Sequence, residues 1–341
     1  MEQCKKYKVL IIAPAWVGDL VMSQTLFKAL KKHYGDNVEL DVFANSWTKG
    51  LLWRMDEVSD VIENPFPSGS VALLKRILCG FSLRKRKYNQ VIILPNSLKS
   101  AIMPFFAGIK QRTGFIGEFR YGLINDIYKL NKTFLPRMID RFCALANKGN
   151  KPYKIDFPTL NKDIQNQCEL IEKFAIDTTK KIVAFCPAAE FGPAKRWWPA
   201  YFAQLATLLI DDGYIVLILG SKKDEGLGNF IISKLDVSTG IFNLCGQTSL
   251  EDSVDILAMC HAVVTNDSGL MHVAAAVGTK VIAIYGSSSP NFTPPLSSKA
   301  QIIQVPLSCS PCFQRTCRYG HYHCLMLVTP DVVYARIVEN K

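Results

Sequence analysis

The sequence predicts an α/β protein of two Rossmann-like, doubly wound domains that face each other across a cleft. Three observations predict it. Short unbroken apolar runs such as Lys8–Ala13 and Lys181–Cys186 read as parallel strands buried on both faces. Helical patterns lie between the runs, so strand and helix alternate. The stretch Asn147–Thr159, rich in Lys, Pro and Asn, separates two such series, and 341 residues suit two domains better than one. The expected division is 1–160 and 161–341.

The first series opens with the strand Lys8–Ala13 and the loop Pro14–Gly18. A helix then runs from Asp19 to about His33, with Leu20, Leu26, Phe27 and Leu30 as its apolar stripe. Strands follow at Val38–Phe43 and Gln90–Leu94, the second after a basic helix containing Leu73, Leu74, Ile77 and Leu78. Ligands of such sheets bind at the carboxyl ends of the strands. Three polar stations are expected there: Gly18-Asp19, Pro95-Asn96-Ser97, and Arg112–Gly114 with Gly117–Arg120. The second series begins at Lys181–Cys186. A helix over Pro199–Asp211 has Pro in its first turn and Gly213 just past its end. Tyr214–Leu219 is a strand, followed by the loop Gly220–Asp224. A helix over Ser249–Cys260 is introduced by Thr248. The strand Val281–Tyr285 closes the series, followed by Gly286–Pro290.

Charge is unevenly spread. The net charge is +11, and residues 1–165 carry 26 Lys/Arg against 14 Asp/Glu while residues 166–341 carry 14 against 15. A basic first half implies an anionic partner: nucleic acid, anionic lipid or a phosphorylated substrate. The densest run is Lys75, Arg76, Arg84, Lys85, Arg86 and Lys87. It reads either as a solvated helix face or as a landing surface for anionic headgroups. Lys5, Lys6 and Lys8 before Val9–Val17 imitate a signal peptide, but the apolar part is short and contains Pro14. No run approaches the roughly 18 apolar residues of a spanning helix. A cytosolic protein with at most peripheral membrane contact is expected, its eleven cysteines mostly reduced.

The stretch Val263–Ala276, VVTNDSGLMHVAAA, reads as strand, tight turn and helix. Such a turn aims backbone N–H groups and the positive end of a helix dipole at one point, which suits a phosphate. Asp267 and Ser268 can cap the helix, Gly269 admits a ligand to the backbone, and His272 lies one turn in. The plain alternative is a helix cap and nothing more. Other loops expected on the same sheet edge supply Lys195, Asp224 and Gly286-Ser287. A cation, a helix N-terminus and a carboxylate describe a nucleoside diphosphate site, with Asp224 accepting from ribose hydroxyls. There is no Walker lysine motif and no G-x-G-x-x-G. Asp19 before its helix is either a cap or, facing an activated sugar, a base for the attacking hydroxyl. Cys309, Cys312, Cys317 and Cys324, with His321 and His323, could hold Zn²⁺, pack a loop as free thiols, or pair as disulfides.

The strings APAWVGDLVMSQ (13–24), LPNSLKSA (94–101), FFAGIKQRTGFIGEFRYGLIND (105–126), AAEFGPAKRWW (188–198), TNDSGLMHVAAA (265–276) and YGSSSPNFTPPL (285–296) carry a resemblance. In order along most of the chain, they resemble the ADP-heptose:lipopolysaccharide heptosyltransferases of glycosyltransferase family 9, type II in particular. The resemblance implies a GT-B fold, with the donor nucleotide in the second domain and the acceptor in the first. It implies transfer of L-glycero-D-manno-heptose from ADP-heptose to the first heptose of the lipid A-Kdo inner core, with inversion, no required metal or other cofactor, and no nucleic acid. Asp19 would be the general base. Lys195 would sit on the diphosphate, Asp224 near the ribose, and Asp267, Ser268, Gly269 and His272 at the phosphate turn. The candidate acceptor contacts are Asn96, Lys99, Arg112 and Arg120. A peripheral position at the inner face of the inner membrane is implied as well. Two departures stand out: Ala188 where the family usually has Gly, and Trp198 as an extra aromatic beside Trp197. The rival readings are a type I or III enzyme of the same family, and a non-catalytic basic protein binding nucleotide or nucleic acid. Against the last, the basic residues lack the interleaved aromatics of single-strand platforms.

Overall fold

A computed structural model describes residues 6–67, 69–151, 154–236 and 239–339. Lys5 of the basic N-terminus, and Pro152 and Tyr153 of the expected linker, lie outside them. The chain divides into unit 1, residues 1–158, and unit 2, residues 159–341.

Unit 1 holds six parallel strands: β1 (Tyr7–Ile12), β2 (Val38–Ala44), β3 (Asp60–Glu63), β4 (Gln90–Ile93), β5 (Gln111–Phe115) and β6 (Asp126–Tyr128). Their order is β3-β2-β1-β4-β5-β6. Helices α1 (Val17–Tyr34), α2 (Lys49–Trp53), α3 (Leu73–Leu83), α4 (Leu98–Phe106) and α5 (Met138–Ala146) flank the sheet. The central strand explains the legibility of its sequence. Val9, Leu10 and Ile11 are fully buried because β1 pairs with β2 on one side and β4 on the other, with helices over both faces.

Unit 2 repeats the plan with β7 (Ile182–Cys186), β8 (Ile215–Ile218), β9 (Ile241–Asn243), β10 (Ala262–Asn266), β11 (Lys280–Tyr285) and β12 (Ala300–Gln304). The order is β12-β11-β10-β7-β8-β9. Counted from its own first strand, this is the same 3-2-1-4-5-6 winding as unit 1. The helices are α6 (Ile164–Phe174), α7 (Pro199–Asp211), α8 (Glu225–Ile232), α9 (Leu250–Met259), α10 (Gly269–Ala276), α11 (His323–Met326) and α12 (Pro330–Val338). Phe202 anchors the core, its ring 5.3 Å from Phe185 and 4.8 Å from Trp197. Among the described residues, no helix is long and apolar enough to cross a membrane.

Several local expectations change. Helix α1 begins at Val17, so Asp19 stands in its first turn rather than in the preceding loop. Helix α9 is introduced by Ser249, not Thr248. The Ser249 hydroxyl accepts from the Asp252 N–H at 3.0 Å while the Asp252 carboxylate accepts from the Ser249 N–H at 2.9 Å, a reciprocal box that satisfies two terminal donors. The basic run is not one solvated face. Arg76 is buried, stacked 4.1 Å over Phe66 and donating to the Val71 carbonyl. Arg86 donates to Asp41 at 3.2 Å and Asp60 at 2.6 Å. Lys75, Arg84, Lys85 and Lys87 remain exposed.

Candidate functional site

In a 3-2-1-4-5-6 sheet the winding reverses between the first and fourth strands, and the loops leaving those strands diverge to open a crevice. In unit 2 the reversal falls between β7 and β10. The loop after β7 contains Pro187–Lys195, and β10 runs straight into Asp267-Ser268 and α10. Asn266 ties the two together. Its side-chain amide donates to the Pro187 carbonyl at 2.6 Å and its oxygen accepts from the Trp197 N–H at 2.9 Å. The loop after β11 joins them, with the Ser287 N–H donating to the Ala194 carbonyl at 3.1 Å. Glycine is needed where these backbones meet. A Cβ at Gly286 would stand 2.7 Å from the Ala194 carbonyl oxygen, and one at Gly192 would stand 2.5 Å from that of Arg315.

Lys195 forms an ion pair with Asp267, whose carboxylate is nearly buried. Asp267 therefore does not cap α10. Nor does Ser268, which occupies the N-cap position without accepting from the helix and lies 3.3 Å from the Thr265 hydroxyl. The expectation of a side-chain cap is corrected: the first turn of α10 keeps its backbone N–H groups for another acceptor. An ammonium has three donors, so Lys195 retains capacity beyond Asp267. Phe191 receives two cations, Lys195 at 5.0 Å and Arg315 at 5.3 Å from its ring centre. The hydroxyls of Ser287 and Ser288 are buried with no partner among the described residues, an unfavourable state unless a ligand or water completes them. His272 is 5 % exposed beside the ion pair. Burial pushes its pKa down to about 4, with Asp267 opposing and Lys195 adding to the shift. The ring is neutral at pH 7.

The Asp224 carboxylate is partly committed. One oxygen, Oδ2, accepts from the Ser221 N–H at 2.9 Å and the Ser221 hydroxyl at 2.6 Å. Asp224 closes the turn after β8, the strand next to β7. The cysteine-rich tail buttresses the crevice. The Ser310 hydroxyl donates to the Gly286 carbonyl at 2.7 Å, the Phe313 N–H to the Ser287 carbonyl at 2.7 Å, and the Ala194 N–H to the Arg315 carbonyl at 3.0 Å. Cys309, Cys312, Cys317 and Cys324 are all free thiols. Among the described residues, no group of three or more His, Cys, Asp or Glu side chains is placed to hold a metal ion. A hollow of about 290 Å³ lined by Gln167, Lys181 and His261 opens at the amino ends of β7 and β10, away from all of these groups.

In unit 1 the reversal falls between β1 and β4, and the segments leaving them carry Asp19 in the first turn of α1, Asn96 in the loop before α4, and Lys99 in the first turn of α4. Asp19 is half-buried in the first turn of α1. Asn96 is exposed and Lys99 half-exposed. Arg120 is held more tightly than either. It is fully buried, and its guanidinium donates to the carbonyls of Phe115 (2.5 Å) and Pro95 (2.6 Å), the Ser100 hydroxyl (3.1 Å) and the Asn96 side chain (3.3 Å). Burial lowers its pKa to about 10, so it stays charged. A guanidinium so enclosed braces the 95–100 turn. Arg112 is likewise engaged, donating to the Leu123 carbonyl at 2.6 Å and the Ile109 carbonyl at 2.7 Å. Of the four acceptor candidates, Asn96 is exposed, Lys99 and Arg112 are half-buried and Arg120 is buried. Phe191 and Asn266 carried no expectation in the sequence. Asn266 had one available signal, an amide at a strand's last residue before a helix.

A doubly wound pair of sheets, with an uncapped helix and a cation at one switch point, is an arrangement suited to an anionic ligand. The family profile for glycosyltransferase family 9 (heptosyltransferase) matches residues 78–323. The chain is 42 % identical over 335 residues to the lipopolysaccharide heptosyltransferase 2 of Escherichia coli K12, covering 96 % of each. It is 45 % identical to the lipooligosaccharide heptosyltransferase 2 of Haemophilus influenzae, covering 97 % of this chain and 98 % of that one. Among solved structures, E. coli ADP-heptose LPS heptosyltransferase II superposes with a TM-score of 0.88 at 40 % identity, covering 97 % of both chains. The class is thus a glycosyltransferase of GT-B type. The chain belongs to glycosyltransferase family 9, the heptosyltransferases.

Proposed function

We propose that this protein transfers L-glycero-D-manno-heptose from ADP-heptose to the first heptose of the lipid A-Kdo inner core, inverting the anomeric centre. The observation that carries the donor half is the uncapped first turn of α10, flanked by Lys195 and by the unpartnered Ser287 and Ser288 hydroxyls. The names of near full-length relatives, which state heptosyl transfer, ADP-heptose and lipopolysaccharide, support the choice of donor and acceptor class.

The diphosphate lies against the N–H groups of Ser268, Gly269 and the following turn, where the helix dipole favours an anion. Lys195 shares its remaining donors with the phosphate while Asp267 holds it in place. Neutral His272 packs behind the turn. The free oxygen of Asp224 takes a ribose hydroxyl. In the transfer step Asp19 accepts the proton of the acceptor hydroxyl, that oxygen bonds to the anomeric carbon, and the bond from the anomeric carbon to the diphosphate breaks. The electron pair leaves on ADP. Lys195 and the α10 N–H groups stabilise the charge that develops there, the task Mg²⁺ performs in other enzymes. Activity therefore persists in chelator. Lys99 and Asn96 contact the acceptor, which is membrane-anchored, so the protein works peripherally at the cytoplasmic face of the inner membrane.

The test is ADP release from ADP-heptose with defined inner-core acceptors. Release with an acceptor bearing one heptose, and little with an acceptor bearing none or two, supports the type II reading. Preference for either of the other acceptors moves the protein to type I or III, and absence of release with all three overturns catalysis.

A further inference from the structure

We propose that α3, with the adjoining end of α4, is an interfacial membrane-docking face that takes anionic phospholipid. The inference deepens the membrane part of the proposed function and rests on that reading. Its first support is apolar exposure. Leu74 is 75 % exposed and Leu78 67 %. They stand one helical turn apart, and Leu73, Phe81 and Phe105 extend the same uncovered apolar surface. Phe106, between α3 and α4, holds the last two in place, with ring centres 5.8 Å from Phe81 and 5.3 Å from Phe105.

The second support is charge. From Asn64 to Gly117 the sequence has nine Lys and Arg and no Asp or Glu. Arg76, Arg86 and Arg112 are spent on protein acceptors, as described above. Lys75 within α3 and Lys85 and Lys87 just after it remain exposed, with Arg84 stacked 4.5 Å over Phe81. Leucines flanked by long cations are the composition of a helix lying in a bilayer interface, with apolar chains among the acyl groups and ammonium groups among the headgroups. Charge also selects the occupant. A second copy of this chain would set like charges against one another, whereas an anionic lipid surface matches them.

The position serves the acceptor. Lys99 in the first turn of α4 and Phe105 near its end are six residues apart, about 9 Å along the axis at the usual helical rise. A lipid-anchored acceptor entering beside Phe105 meets Lys99 within that length.

The experiment is vesicle flotation of the full chain without donor or acceptor, using phosphatidylcholine vesicles with and without phosphatidylglycerol. Binding is expected only with phosphatidylglycerol and weakens with salt. Lys75→Gln with Lys85→Gln and Lys87→Gln lowers the partition coefficient on the order of a hundredfold, about fivefold per cation. Leu74→Ser with Leu78→Ser lowers it at least about tenfold. Both variants keep the wild-type rate on a lipid-free inner-core acceptor, which separates failure of docking from failure of heptosyl transfer. The proposal is overturned if wild-type protein ignores anionic vesicles, or if neither variant changes binding. It is overturned equally if Leu74→Ser with Leu78→Ser abolishes a dimer in sedimentation while vesicle binding persists.

Discussion

The two units share one winding and differ in what they place at its reversal. In unit 2 the crevice between β7 and β10 is knitted shut from behind: Asn266 ties Pro187 to Trp197, the Ser287 N–H donates to the Ala194 carbonyl, and Lys195 pairs directly with Asp267. In unit 1 the corresponding place holds Asp19, Asn96 and Lys99, while its strongest network, around Arg120, lies behind the 95–100 turn. Exposed aromatics stand nearby, with Trp16 57 % and Trp47 53 % exposed. The same topology thus supports a stiff polar cradle in one unit and a more open surface in the other. The contrast suits their proposed partners. A leaving diphosphate needs fixed dipoles, because reorganisation at the moment of reaction raises the barrier. A large glycolipid needs room.

The comparison can be broken most sharply at Asp19. Asp19→Asn is expected to lower kcat about a thousandfold, within the usual range for a general base, while ADP affinity measured by calorimetry stays nearly unchanged. Retention of more than a tenth of the activity would remove Asp19 from that role. Next in size is the ion pair of unit 2. Lys195→Met leaves the Asp267 carboxylate buried alone, at a cost of about 3 to 5 kcal/mol in unfolding free energy. Lys195→Met with Asp267→Asn recovers most of that stability in denaturant melts but not ADP affinity. A single variant as stable as wild type would show that the pair does not stiffen the cradle.

His272 adds a pH test. Its folded pKa of about 4 lies below the ordinary value of 6.5, so the unfolded chain binds the extra proton first as pH falls. Its contribution is complete above pH 6.5 and is lost between 6.5 and 4, by up to roughly 3 kcal/mol. Thermal melts of His272→Gln should lack that part of the slope; an identical slope in the variant rejects it. The smallest effect belongs to unit 1. Lys99→Ala is expected to raise acceptor KM about fivefold, the worth of roughly 1 kcal/mol in a charge-assisted contact, and to leave donor KM unchanged. Equal changes in both constants would dismiss Lys99 as an acceptor contact.

What the sequence disclosed follows burial. The central strands β1, β7 and β10 are covered on both faces, so their apolar runs are unbroken and their positions were plain. Strands β3, β6 and β9 are short, and they and the edge strand β12 are partly exposed, so mixed composition hides them. Helix α7 begins and ends where Pro199 and Gly213 said it would. At the site, the Thr265–Ala276 string marked the turn, but no local pattern tells a carboxylate that caps from one that binds a lysine 72 residues away. The setting of Arg120 was hidden for the same reason. An arginine among glycines reads alike whether it faces a phosphate or a ring of carbonyls, and long-range packing alone decides.

The tail after β12 contributes backbone and hydroxyl contacts to the loop at Gly286–Ser287 and to the turn at Ala194, with the four thiols interspersed. Among those thiols, burial raises Cys324, whereas N–H groups of Tyr322, Tyr319, Gly320 and His321 outweigh the effect of burial at Cys317 and hold its pKa below the ordinary value. Cys317 is therefore the readiest of the two to ionise. An oxidant or alkylating agent reaching that sulfur would disturb a splint rather than a loose end, one that braces the turn at Ala194 and the loop at Gly286 from outside.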